Sequence, residues 1–211
     1  GDLVAGIGVS HDAGRRVVPQ HAPDALRRRL AAVADDHHAG VLRIAHANAA
    51  AMGEMIYGGA KGMKNFVMYT LGTGVGSGLV VNGDLVYGAD GFAGEIGHTT
   101  IGRGTRICGC GGVGHVEAYC SATGIKRTVF ELLAKYNDSE SELATISYND
   151  MSSKIVFEAA EKGDKIAKEV FDYTGNLLGE ALAETVHHLS PECIFLFGGP
   201  TAAGEYIFKP T

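Results

Sequence analysis

The sequence predicts a layered α/β fold built on a mixed sheet. Short apolar runs alternate with stretches of helical spacing. Two of the runs are joined through Asn82-Gly83-Asp84, the signal for a tight hairpin, and glycines mark where one kind of element gives way to the next.

Taken in order, residues 3–9 (LVAGIGV) read as a short buried strand, and residues 24–38 place Ala, Leu and Val at helical spacing with arginines on the other face. VLRIAH, residues 41–46, reads as a second strand. ANAAAMGEMIYGGAKG then has a small-residue helical pattern stopped by Gly58 and Gly59, and NFVMYTLG is a strand leading into a glycine loop. SGLVVNGDLVYG supplies the hairpin. From Gly94 to Tyr119 the cysteine-bearing stretch has no periodicity and is expected as loop. Helical spacing returns from Val116, breaks at Asn137 to Glu142, and resumes as a long amphipathic helix from about Ile166 to His188. Pro191 ends that helix, CIFLFGG is one more buried strand, and a turn leads into a last helix. There is no internal repeat, low-complexity tract or obvious linker.

The 211 residues, 45% hydrophobic and 20% charged, suffice for one substantial core or two smaller ones. A formal net charge of -6 gives no basic field for phosphate backbones, so nucleic acid is not expected as a partner. No apolar run approaches the roughly 20 residues of a membrane span, and GDLVAGIGVS lacks the charged start of a cleavable leader. A cytoplasmic protein with reduced thiols is expected, because Cys108 and Cys110 are too close in sequence for an easy bridge. Gly1 in place of Met, and an end just past Gly198-Gly199, point to a fragment.

Within Gly94–Tyr119 the chain places His98, Cys108, Cys110 and His115, bracketed by Glu95 and Glu117. Thiolate and imidazole are preferred zinc ligands, and a structural zinc site takes four in a tetrahedron. The glycines at 109, 111, 112 and 114 let the backbone bring both sulfurs and His115 to one point, with His98 closing the set. Spacing alone also fits a flexible glycine loop with incidental thiols. LGTGVGSG, between two expected strands, lets several N–H groups approach phosphate oxygens, but it is neither a Walker loop nor a dinucleotide fingerprint. A tight structural hairpin explains it equally well.

GEIGH followed by CGCGGVGHVEAY resembles the signature of the ROK family of sugar kinases and related repressors. ANAAAMGE, TLGTGVGSG, YGADGFAGEIGH and LFGGPTAAGE continue the resemblance over residues 45–211. It implies an actin-like ATPase (ribonuclease H-like) fold with mixed sheets flanked by helices and two domains around a cleft. Residues 1–47 would be part of a small N-terminal domain, and residues 48–211 the larger domain with the zinc loop. It further implies structural Zn2+ on His98, Cys108, Cys110 and His115, with His115 standing where the family usually has a third cysteine. Glu95, His98 and Glu117 would hold sugar hydroxyls. Gly72, Thr73, Gly74 and Gly76 would approach the phosphates of ATP and its Mg2+, and Gly198 and Gly199 would face the adenosine.

Two segments depart from the family pattern. Where the family carries Asn-Asp-Ala-Asn with a catalytic aspartate, this chain reads Ala45-His46-Ala47-Asn48, which puts His46 at the base position. The Asp-x-Gly-Gly-Thr loop of the ATP site has no counterpart after Gly1. The function implied is an ATP-dependent, glucokinase-like hexose kinase that forms a dimer or tetramer. The alternatives are a sugar-sensing ROK regulator, which needs a helix-turn-helix module not visible in the sequence, and a catalytically silent sugar-binding protein.

Overall fold

The computed structural model describes residues 39–101, 104–137 and 140–211, with side chains from His46 onward. The strand expected at 3–9 and the helix expected at 24–38 lie outside these residues. Two compact units emerge. One holds the described residues up to Thr70 together with Gly76–Glu95 and Pro191–Phe197; the other holds Leu71–Val75, Ile96–Ser190 and Gly198–Thr211.

The first unit carries helix α1 (Ala39–Tyr57) and a four-stranded sheet of β1 (Phe66–Leu71), β2 (Val75–Val81), β3 (Asp84–Leu85) and β4 (Cys193–Phe197). The strand order is β3-β2-β1-β4. β1 and β4 are parallel, in the register Phe66↔Cys193, whereas β2 and β3 are antiparallel, so the sheet is mixed as expected. The hairpin turn falls at Asn82 and Gly83, both at positive φ, the geometry that Asn-Gly favours. One expectation fails here: residues 41–46 are helical and belong to α1. A short apolar run cannot be assigned by periodicity alone, and no proline or turn cluster separates it from the helix-forming run that follows. Phe66, Met68 and Val80 of the sheet pack with Phe195 and with Ala51 of α1, Phe66 and Phe195 meeting edge to face at 5.6 Å. At the start of β1, Glu192 Oε1 accepts the N–H groups of Lys64 and Asn65, each at 2.9 Å, while Asn65 Oδ1 accepts the Asn82 N–H at 3.0 Å. These few atoms tie the hairpin turn and the entry to β4 onto one point.

The second unit is helical, with α2 (Glu117–Cys120), α3 (Ala122–Tyr136), α4 (Ser153–Glu161), α5 (Lys165–Leu189) and α6 (Glu205–Phe208). The expected polar break and long helix are both present. Caps set the boundaries. Ser121 accepts from Gly124 N–H at 3.0 Å and Asp164 from Ala167 N–H at 2.9 Å, while Asn137 and Ser190 end α3 and α5 in the left-handed conformation. α5 packs against α3, α4 and α6. It buries Val170, Phe171 and Leu178, while Ile125 and Val129 of α3 and Ile207 of α6 are buried as well, each contributing about 1.5–3 kcal/mol of apolar burial. The expected last helix is only a 3-10 turn, Gly199–Ala203, and the single turn of α6. No helix among the described residues is long and apolar enough to cross a membrane.

Candidate metal and ligand site

The cysteine stretch is loop, as expected, but it is held in register. A bridge pairs Ile107 with Val113, and Cys108 N–H donates to Gly112 O at 2.8 Å, so the segment that carries the two cysteines doubles back. A second bridge pairs Thr100 with His115, and Val116 N–H donates to Thr99 O at 3.0 Å. This second pairing sets the 3-10 turn Ile96–His98 beside the end of the loop and puts the His98 and His115 rings 5.6 Å apart. All four expected ligands therefore converge. One donor atom from each of His98, Cys108, Cys110 and His115 lies within 4.8 Å of every other. Cys108 Sγ is 3.6 Å from His98 Nδ1, and Cys110 Sγ is 3.2 Å from His115 Nδ1.

Bond lengths of about 2.3 Å to sulfur and 2.0–2.1 Å to nitrogen place the donors of a tetrahedral zinc site about 3.3–3.8 Å apart. The set fits a zinc ion by type and number, and its two sulfur–nitrogen distances of 3.6 and 3.2 Å lie close to that spacing. Burial, with help from the Cys110 thiol and the Glu117 carboxylate, pushes the Cys108 thiol up to about 11. A cation that replaces its proton supplies the charge that makes a buried thiolate tolerable.

Glu117 joins this loop to the glycine loop. Its carboxylate is buried, with Oε2 accepting the Val75 N–H at 3.0 Å and Oε1 accepting the Cys108 S–H at 3.4 Å. Gly97, next to His98, packs so closely on the same residue that a Cβ there would sit 2.1 Å from the Val75 carbonyl oxygen. Val75 is therefore enclosed at both its N–H and its C=O by the segment that carries the metal-ligand candidates.

The glycine loop is braced from α3. Ala122 N–H donates to Gly72 O at 2.8 Å and Thr123 Oγ1 to Thr73 O at 3.0 Å. Within the turn Gly72 N–H is spent on Gly74 O at 2.9 Å, while the N–H groups of Thr73 and Gly74 carry no hydrogen bond among the described residues. Gly198, at φ 127°, lies against the same loop, and a Cβ there would fall 2.0 Å from Leu71 O. Gly199 opens the 3-10 turn that follows.

The structure thus brings together, within one unit, Gly72, Thr73, Gly74, His98, Cys108, Cys110, His115, Glu117, Gly198 and Gly199. His46, Gly76 and Glu95 belong to the other unit. His46 is exposed on α1, well inside the helix. Sequence reasoning missed two residues. Asn48 is only 3% exposed, and neither polar atom of its side-chain amide has a hydrogen-bond partner among the described residues. That is the mark expected of a residue serving a ligand or a segment beyond the described ones. Arg106, which sequence reasoning leaves without a role, has a largely covered side chain bonded to Ala118, Gly124, Thr128 and Glu131.

The mixed sheet flanked by helices, with a glycine turn between β1 and β2 and a glycine pair after β4, is the actin-like ATPase fold. The chain belongs to the ROK family, whose model matches residues 30–210. It is 42% identical over 165 residues to a glucokinase of Halalkalibacterium halodurans, an alignment covering 78% of this chain and 50% of that protein. It is 29% identical over 157 residues to the DNA-binding transcriptional dual regulator NagC of Escherichia coli, covering 74% and 37%. Among solved structures it is similar to a ROK family glucokinase from Streptomyces griseus in complex with glucose and AMPPNP. The TM-score is 0.69 at 31% identity, over 78% of this chain and 54% of that one. The chain spans about half the length of these glucokinases.

Proposed function

We propose that this chain carries the larger domain of an ATP-dependent hexose kinase of the glucokinase type, with residues 1–47 contributing to the smaller one. The observation that carries the reading is Glu117: one buried carboxylate bonded to Val75, just past the glycine turn, and set against the candidate metal-ligand cluster. This supports reading Glu117 as an acceptor for sugar hydroxyls beside a loop suited to phosphate.

In this reading His98, Cys108, Cys110 and His115 would hold Zn2+, which would serve as a structural anchor for the loop. Deprotonated Cys108 no longer donates to Glu117 Oε1, which leaves that oxygen able to accept from a hydroxyl. The second ring nitrogen of His98 and the carboxylate of Glu95, three residues before it, take neighbouring hydroxyls. The N–H groups of Thr73 and Gly74 receive phosphate oxygens, with Gly72 shaping the turn, Gly76 keeping the strand open and Gly198 and Gly199 facing the adenosine. Mg2+ bound with ATP would offset the phosphate charge. As the sugar oxygen bonds to the γ-phosphorus, the bond to the ADP oxygen breaks and His46 accepts the hydroxyl proton. The product is the sugar phosphate, made in the cytoplasm by a homo-oligomer.

A coupled assay with ATP and glucose, N-acetylmannosamine or fructose tests this: turnover with glucose is expected. Sugar binding without turnover would instead favour a silent sugar binder, a reading supported by His46 and Ala45 at the base segment. The similarity to NagC supports a sugar-sensing regulator, and DNA retention by the intact protein would favour that one.

A further inference from the structure

We infer that Arg106 is a positioning residue for the metal-ligand cluster, acting through an ion pair with Glu131 that fixes the backbone ahead of Cys108. The inference rests on the metal reading above.

Arg106 projects from the loop but is 9% exposed at its side chain, a rare state for an arginine unless every donor is satisfied. Nε donates to Glu131 Oε1 at 3.0 Å and Nη2 to Glu131 Oε2 at 2.6 Å, a two-point fork that fixes direction as well as distance. Nη2 also donates to Thr128 Oγ1 at 3.0 Å, and Nη1 to the carbonyls of Ala118 and Gly124, each at 3.3 Å. The guanidinium lies 4.6 Å from the Tyr119 ring centroid and 5.6 Å from that of Tyr173. Its own backbone is fixed too: Arg106 N–H donates to Tyr119 Oη at 3.1 Å, and Arg106 O accepts from Gly114 N–H at 2.9 Å. The next residue is held the same way, because Arg127 Nη1 of α3 donates to Ile107 O at 2.7 Å.

Two consecutive loop residues are therefore bolted to α2 and α3 immediately before Cys108, while α2 begins with Glu117. A glycine-rich loop with one residue between its cysteines has many conformations in which the sulfurs point apart. Selecting the convergent one costs entropy at the moment of metal binding unless the fold has already done so. The contacts of Arg106 do so without touching the metal ligands' own donor atoms.

The test is the Zn2+ affinity of the intact protein, measured by competition with a chromophoric chelator, alongside the thermal midpoint of the metal-free protein. Arg106→Gln and the milder Glu131→Gln are each expected to weaken Zn2+ by about tenfold or more, the range seen when residues supporting a metal ligand are lost. The double variant is expected to be little worse than either alone, since the two residues act as one device. Arg106→Lys, which keeps the charge but not the fork, should fall between wild type and Arg106→Gln. Unchanged Zn2+ affinity in Glu131→Gln and in folded Arg106→Gln, with only the thermal midpoint lowered, would reduce Arg106 to ordinary packing and overturn the assignment. A wild-type protein that takes up no Zn2+ would instead remove the metal reading, and this assignment with it.

Discussion

Glu117 Oε2 accepts the backbone N–H of Val75 at 3.0 Å, in a part of the protein where the carboxylate is buried. The first residue of a helix that follows the cysteine loop thereby holds the first residue of β2, just past the glycine turn. A single side chain links the two segments that the family resemblance assigns to sugar and to phosphate.

Glu117→Gln keeps an acceptor for Val75 but loses the charge. It should retain the fold and weaken sugar binding by about tenfold or more, the worth of a hydrogen bond to a charged group being about 1.5–3 kcal/mol. Glu117→Ala should in addition lower stability by about 1–3 kcal/mol, because the buried Val75 N–H is left unpaired. Calorimetric sugar titration and urea unfolding of both variants check the two expectations separately.

Gly198→Ala should be severe. Its Cβ would fall 2.0 Å from Leu71 O, and the backbone sits at φ 127°. Strain and overpacking together are expected to cost about 3 kcal/mol or more. Chemical denaturation reads the loss; a variant as stable as wild type would mean that Gly198 and Leu71 do not pack as described.

The four thiols should differ sharply in reactivity. Cys110 is exposed, whereas Cys120 is buried and pushed up to about 12 by that burial. Without metal, Cys110 should react first with a disulfide reagent and Cys120 last. Adding Zn2+ should protect Cys110 and leave the slow thiol unaffected, as followed by time-resolved thiol counting and peptide mapping.

Two backbone N–H groups, those of Lys64 and Asn65, hold the Glu192 carboxyl below its ordinary value of 4.5. A carboxyl depressed in the folded state stabilises the protein fully above its unfolded value, and that stabilisation is lost as pH falls through the lowered one. Glu192→Gln should therefore be less stable than wild type at pH 7, with the gap closing under acid conditions below about pH 4. Urea unfolding at a series of pH values measures it; a gap that widens in acid would contradict the assignment.

Much of the fold could be read from the chain because its signals are local. Asn82-Gly83 dictates its turn, and Asp164 and Ser190 mark the ends of α5. The convergence of His98, Cys108, Cys110 and His115 was legible for the same reason: residue types with few other uses, packed between glycines. Residues 41–46 were misread because six mostly apolar residues satisfy a strand and a helix alike. Arg106 was invisible because its burial depends on Glu131, 25 positions away, and an arginine in a loop otherwise looks solvated. The constraint on Gly198 was equally hidden, since it comes from the backbone of Leu71 in another part of the sequence.

The central claim is that His98, Cys108, Cys110 and His115 hold one ion and thereby position Glu117. Elemental analysis of the intact, untagged protein, purified without chelator, tests it most directly. One equivalent of zinc per chain is expected in the wild type, with loss in Cys110→Ser. A wild type free of zinc, or a Cys110→Ser variant that keeps its full equivalent, would contradict it.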